Sequence, residues 1–319
     1  MILQLSTGVL RPVGKFIVRG VSLEFMNEFK PAELSDRQWI LRLLNSCECP
    51  SYEYNFTTIF IWQQIYDLKV CEHNGFLNVC ACNKSFMFPA GNGDIKKEID
   101  FLGDTAHKNG NPLLMYSLTE KNKDLLEETY PGRFQFEEDR DSEDYLYTSE
   151  SLRTLKGRKL SSKRNHINRF VENHPEWTYE KINDKNIEEA VRMHERWCKL
   201  TDCGKNQSLH QESCAVKRAL KYFDELELSG GMIRIDNGIC AFSIGDRLDD
   251  KTFLIHIEKA FADIRGAYAM INREFAIHNC DSYEFIDREE DTGDEGLRKA
   301  KLSYRPWEIR RQYTALEKV

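Results

Sequence analysis

Apolar and polar positions change period several times along the chain. Helical spacing runs through DRQWILRLLN, NFTTIFIWQQIY, Asp94 to His107 and KNKDLLEETY, with Ser35 placed to cap the first of these. Between them LKVCE, FLNVCAC, SFMFPAG, LLMYSL and RFQFEEDR are short β-branched or aromatic runs that predict strands, and the Asn74-Gly75 step predicts a hairpin. The second half repeats the order. WTYEKI predicts a strand; IEEAVRMHERWCKL, opened by Asp184 or Asn186, and Leu209 to Leu228 predict helices; GMIRID and ICAFSIGDRL pair across Asn237-Gly238. TFLIHIEKA follows as a strand, AYAMINREFAIHNC as a helix, YEFIDREED as a strand and GLRKAKLSY as a short helix stopped by Pro306, before a closing EIRRQYTAL.

Two halves with one element order predict an α+β chain of two tandem copies, each a mixed, mainly antiparallel sheet flanked by helices. The expected boundaries are an N-terminal extension over 1–25, a first domain over 26–147 and a second over 148–319, the second entered by a basic linker helix at 156–173. At 319 residues the chain has the length of two ordinary domains.

Composition narrows the function. A net charge of −7 excludes a uniformly basic nucleic-acid surface, so any such contact needs a local patch. That patch is present at Leu152 to Asn173, where Arg153, Lys156, Arg158, Lys159, Lys163, Arg164 and Arg169 face a single acid, Glu172. On a helix from Ser161, Ile167 and Phe170 can pack while the cations reach solvent. The segment reads as a site for an anionic partner, such as a tRNA or a lipid head group, or as a solvated linker paired with nearby acids. Ten cysteines in a chain with no leader pattern point to reduced thiols and a cytoplasmic setting. Cys47/Cys49 and Cys80/Cys82 lack zinc-knuckle spacing, and no metal is expected. Cys198 and Cys203 read as packed thiols. No apolar run approaches the roughly 20 residues of a membrane span.

At Arg265-Gly266 a predicted strand gives way to a helix. A helix start exposes backbone N–H groups and the positive end of its dipole, so this junction reads either as an anion site or as a helix entry that needs a small residue.

The segments GRKLSSKRNHINRF, HIEKAFADIRGAYAMINREFA and DREEDTGDEGLRKAKLSYRP closely resemble motifs of the phosphatidylglycerol lysyltransferase C-terminal domain family, which is related to the Fem aminoacyl transferases. The resemblance covers roughly Phe29 to Leu316 and implies two tandem GNAT-like (acyl-CoA N-acyltransferase) domains. It also implies transfer of an acyl or aminoacyl group from acyl-CoA or aminoacyl-tRNA, as co-substrate, to an amine or hydroxyl acceptor. Members of known activity use a lipid head group as acceptor and carry a membrane domain ahead of this one. No tightly bound cofactor is implied. A non-catalytic module that binds an anionic ligand is the alternative.

Such transfer needs a base and donors for a tetrahedral oxyanion. Alternation along TFLIHIEKA places His256 and Glu258 on one side, and Glu258 is the expected base or binder of the substrate amine. Asp287 and Glu289 share parity at the end of the next strand and are expected to hold a cationic group, Asp287 with a catalytic part. By the resemblance, Tyr304 is the general acid. Arg265, Gly266, Ala267 and Tyr268 are the expected cofactor site, although the family-type glycine pattern is reduced here to one glycine and one arginine. His256, Asn272, Glu289, Lys163 and Arg164 complete the expected substrate contacts.

Overall fold

The computed structural model describes residues 28–318 apart from 49 and 237. The extension at 1–25, Cys49 of the first Cys-x-Cys pair and Asn237 of the second hairpin lie outside the described residues. In chain order the elements are α1 (Arg37–Leu44), α2 (Phe56–Tyr66), β1 (Lys69–His73), β2 (Phe76–Ala81), β3 (Ser85–Met87), β4 (Ala90–Gly91), α3 (Ile95–Lys108), β5 (Leu114–Leu118), α4 (Glu120–Thr129) and β6 (Phe134–Glu138). Then come β7 (Asp144–Thr148), α5 (Ser149–Thr154), α6 (Ser161–Asn173), β8 (Thr178–Lys181), α7 (Ile187–Leu200), α8 (Gln207–Lys221), β9 (Ser229–Ile235) and β10 (Gly238–Arg247). The last are β11 (Thr252–Ala260), α9 (Ala267–Asn279), β12 (Phe285–Asp287), α10 (Glu295–Leu302), β13 (Glu308–Arg310) and β14 (Tyr313–Glu317).

These elements form two mixed sheets in two compact units, the α+β architecture expected. The N-terminal unit holds 28–143 together with 311–318, and the C-terminal unit holds 144–310. The units are therefore not consecutive halves. EIRRQYTAL, expected as one closing element of the second half, is two strands: β13 pairs with β7 in the C-terminal sheet, while β14 lies between β5 and β6 in the N-terminal sheet.

In the N-terminal unit β1, β2 and β3 are antiparallel neighbours, and β3 then runs parallel to β5 through the α3 crossover. The β1–β2 hairpin turns on Asn74 and Gly75, both left-handed with φ of 48° and 82°. Phe86, Leu102, Leu113, Met115, Phe134 and Ala315 pack the core between sheet and helices. Ser35 does not cap α1. It lies within a single 3-10 turn, whose start is closed instead by the Asp36 carboxylate accepting from the Glu33 N–H.

In the C-terminal unit β8 to β11 form an antiparallel meander, β11 runs parallel to β12, and β7 and β13 close the far edge. The Leu209 to Leu228 helix is shorter than expected and stops at Lys221; YEFIDREED is a strand only over Phe285–Asp287, because its acids are used as a loop. The β10–β11 register slips between Ile244 and Gly245, where β11 carries His256 as an extra residue. The strands β11 and β12 pair only over Thr252 to Leu254 and Phe285 to Asp287, and then part.

Candidate functional site

The parting of β11 and β12 collects the polar side chains of the C-terminal unit. Glu258, near the end of β11, is buried and accepts from Asn272 Nδ2 on α9 at 2.9 Å and from Arg288 Nη2, just past β12, at 3.0 Å. Arg288 is buried as well, with its guanidinium carbon 4.9 Å from the centre of the Tyr304 ring and 5.7 Å from that of Tyr147. Its charge is favoured in spite of burial by Glu258 and the two phenols. Tyr147 lies close enough to support that charge, yet Arg288 Nε and Nη1 make no hydrogen bond of normal geometry. Two donors of a buried cation are thus left without a well-formed hydrogen bond, a costly arrangement that an arriving anionic or carbonyl oxygen would relieve.

Lys163 enters from α6. Its Nζ stands 3.9 Å over the Tyr304 ring. Its pKa is pushed down to about 8, first by desolvation and then by the Arg288 charge, against the pull of Glu258. Burial raises the Tyr304 phenol well above its ordinary value, so it keeps its proton.

The loop carrying Arg288 is held from beneath. Lys301, buried on α10, donates to the carbonyls of Arg288 at 2.5 Å, Glu289 at 2.9 Å and Glu290. Three successive carbonyls can face one ammonium because Glu289 takes a left-handed conformation at φ 57°, rare for a residue with a side chain. Burial pushes Lys301 down to about 8, with Glu290 opposing. Asp291 fixes the far end, accepting from Tyr145, from Arg298 Nε at 2.8 Å and from the Gly293 N–H at 3.0 Å.

A family model described as phosphatidylglycerol lysyltransferase, C-terminal, matches residues 48–316. The chain belongs to that family. A conserved protein of unknown function from Bacteroides thetaiotaomicron superposes with a TM-score of 0.87 at 38% identity, covering 91% of this chain and 99% of that one. The C-terminal domain of a putative lysylphosphatidylglycerol synthetase from Agrobacterium fabrum gives 0.64 at 14% identity, over 90% and 92% of the two chains. L-PGS from Bacillus licheniformis gives 0.61 at 13%, with the same coverage. Among curated proteins, an uncharacterized protein of Mycoplasmoides gallisepticum is 28% identical over 180 residues. That match takes in 54% of this chain and 55% of the relative, so the chain spans little more than half the length of this curated protein. Two mixed sheets flanked by helices are the fold that this chain shares with those two structures.

Within this domain the residues singled out from the sequence fall into three groups. Glu258, Asn272, Tyr304 and Lys163 meet at the strand parting. His256, Glu289 and Asp287 lie apart from them. The extra residue in β11 breaks the alternation, so His256 does not share partners with Glu258; its Nε2 meets Asp246 at 3.0 Å and its Nδ1 meets Glu289 at 3.1 Å. Burial alone would lower the imidazole pKa, but the two carboxylates override it and push it up to about 10. Asp287 accepts from the Glu289 N–H at 2.8 Å, and burial pushes it up to about 6.

The third group is the junction before α9. Gly266 has φ 92°, and a Cβ there would stand 2.4 Å from the His166 carbonyl oxygen, so α6 packs directly on this glycine. The Ala267 N–H already donates to Ile264 at 3.1 Å, Arg265 is exposed and Tyr268 is 40% exposed. Arg164 donates to the carbonyls of Leu155 and Gly157 and so shapes the turn before α6. Arg158, Lys159 and Arg169 are exposed. Desolvation and then Lys163, Arg265 and Arg169 lower the pKa of His166, which shows that these cations share one neighbourhood.

Sequence reasoning did not single out Arg288, which stands inside the DREED run. Its signal was present: an arginine directly after a strand that ends an open α/β crossover. It also passed over His194, one turn before Cys198 on α7. Their Nε2 and Sγ atoms are 3.6 Å apart, but desolvation pushes the imidazole down to about 4 and the thiol up to about 11, so both are neutral and the pair is unreactive. Among the described residues no three His, Cys, Asp or Glu side chains are grouped to hold a metal, and no helix is long and apolar enough to cross a membrane.

Proposed function

We propose that the chain transfers an aminoacyl group from aminoacyl-tRNA to a hydroxyl or amine acceptor, with a phospholipid head group as the acceptor class, by direct attack without a covalent enzyme intermediate. One observation carries the reading: a buried arginine with two donors lacking well-formed hydrogen bonds beside a lysine amine whose pKa burial pushes down to about 8. Lys163 takes the proton from the attacking hydroxyl or amine. The new bond forms at the ester carbonyl carbon, and Arg288 Nε and Nη1 donate to the oxyanion that develops there. Tyr304 gives its proton to the departing ribose oxygen. Glu258, fixed by Asn272 and Arg288, has lone pairs left for the α-ammonium of the aminoacyl group.

The packing of α6 on Gly266 and the engaged Ala267 N–H leave little backbone for a CoA pyrophosphate, which favours tRNA over acyl-CoA as donor. The exposed cations Arg158, Lys159, Arg169 and Arg265 suit nucleic-acid phosphates. Trp307, 69% exposed, is an aromatic of the kind that seats at a lipid surface and supports the lipid acceptor. The test is transfer of a labelled amino acid from a panel of charged tRNAs to vesicles containing phosphatidylglycerol and to small hydroxyl and amine acceptors. Label moving to an acceptor, and lost with Arg288→Lys, supports the proposal. Consumption of acetyl-CoA without any tRNA-derived transfer would replace the donor, and tRNA binding without transfer would leave a binding module.

A further inference from the structure

His256 lies outside the group at the strand parting, yet it touches the loop that carries Arg288. It is the extra residue of β11, opposite the slip between Ile244 and Gly245 of β10. A bulge takes one side chain out of the alternation of its strand, and bulges recur beside sites where a group must be aimed. Here the re-aimed imidazole is buried between β10 and the loop after β12, with Asp246 Oδ1 3.0 Å from Nε2 and Glu289 Oε1 3.1 Å from Nδ1. A neutral imidazole has a single N–H, so both carboxylates are served at once only by the imidazolium.

Glu289 is the residue next to Arg288, and its conformation needs holding. A residue with a side chain keeps φ at 57° only where its surroundings over-determine it. Lys301 donates to the Glu289 carbonyl at 2.9 Å and Asp287 accepts from its N–H at 2.8 Å, so the backbone is fixed at both ends. The side chain is fixed by the imidazolium: Oε1 accepts from Nδ1, and the buried Oε2 has no hydrogen bond among the described residues. The neighbouring guanidinium then reaches Glu258 Oε1 at 3.0 Å and stands 4.9 Å from the centre of the Tyr304 ring.

We propose that His256 is a positioning residue for the transfer reaction: through its bond to Glu289 it fixes the left-handed turn that aims the Arg288 guanidinium into the parting. Asp246 orients the imidazole from β10, so the contacts run from Asp246 through His256 and Glu289 to Arg288. The proposal rests on the reading of Arg288 and Lys163 as the groups that act on the substrate.

Its consequence can be read without substrate. Desolvation and then the Arg288 charge hold the Lys163 amine down to about 8, while Glu258 opposes them; the Tyr304 ring lies beneath the amine and His166 is close by on α6. An Arg288 no longer held in place lets that pKa rise. The pKa is measured on the full chain by trace acetylation with acetic anhydride across the alkaline range, followed by mass spectrometry of the peptide that contains Lys163. The amide nitrogen of a glutamine falls near the Nε2 of the histidine it replaces, and that of an asparagine near Nδ1. His256→Gln therefore keeps the contact to Asp246 and loses the one to Glu289, and His256→Asn does the reverse. Positioning through Glu289 predicts that His256→Gln raises the Lys163 pKa by about half a pH unit or more, while His256→Asn stays close to native. In the transfer assay the pH at which the rate levels off should move with it, and kcat should fall at nearly constant KM for charged tRNA. If His256→Gln does not fold, Glu289→Gln, which keeps an acceptor for Nδ1 but loses the charge, should raise the Lys163 pKa in the same sense. An unchanged pKa in these variants overturns the proposal. So does an equal rise in His256→Gln and His256→Asn, because a role in packing alone would not tell the two apart. The predicted pattern of pKa values with no transfer from any charged tRNA would keep the positioning of Arg288 and sink the transferase reading, so the two failures are distinct.

Discussion

Both units part a pair of parallel strands at the same point of their topology, and they treat the opening in opposite ways. In the N-terminal unit, beyond the pairing of β3 with β5, the Tyr54 hydroxyl lies 3.0 Å from the carbonyl oxygens of both Phe88 and Ser117, so one phenol plugs the gap and donates to either strand. In the C-terminal unit the equivalent gap is left to Glu258, Arg288, Asn272 and Tyr304, with Lys163 over the ring. A parted sheet exposes backbone groups that must find partners. Filling them from within yields a stable wall, whereas lining them with charges whose donors are only partly used yields a place for a ligand. The shared topology thus leaves the two openings alike; the side chains at each parting make them different.

The largest test of this contrast is Lys163→Met. It removes the proposed base but keeps an unbranched apolar side chain over Tyr304, and transfer should fall by roughly 10² to 10⁴. In the native protein the base must be neutral to accept a proton, so the rate should rise with pH and level off above about 8, following the lowered Lys163 pKa. A pH–rate profile that is flat from pH 6.5 to 9 would remove Lys163 from that role. Next, Lys301→Met should lose about 3 kcal/mol of unfolding free energy, because it removes the buried ammonium to which the carbonyls of Arg288, Glu289 and Glu290 all converge. Denaturant titration measures it, and the loss of transfer should follow the loss of loop order. Gly266→Ala puts a methyl group against the His166 carbonyl at φ 92° and should cost about 1–3 kcal/mol. Because α6 must shift to make room, transfer should drop as well, through a displaced Lys163. The smallest effect belongs to the plugged parting: Tyr54→Phe should lose about 1–2 kcal/mol and leave the transfer rate unchanged. A change in transfer rate there would mean that the two openings are not independent.

Local sequence carried most of the elements because their signals are local. Asn55 and Asp94 cap α2 and α3 with their own side chains, and the periodicity of TFLIHIEKA and AYAMINREFAIHNC needs no partner to be seen. What was lost depends on distant pairing. The expected domain boundary at 147/148 falls inside β7, a strand clasped by β12 on one side and β13 on the other. The extra residue at His256 leaves no mark on a single strand, so the parity argument that grouped His256 with Glu258 failed. Lys163 was legible as a cation; its half-buried place over Tyr304 comes from the packing of α6 on α9, which no spacing within α6 encodes.

The strand β14 also sets the order in which the chain can be finished. The N-terminal sheet runs from β5 to β14 to β6, so β5 and β6 never touch each other, and each keeps a bare edge until Tyr313 to Glu317 has left the ribosome. The unit synthesised first is for that reason completed after the other one has been made. A fragment that stops before Tyr313 would carry two open strand edges, which template aggregation, and a substitution that weakens β14 would unsettle the unit whose other strands were made first.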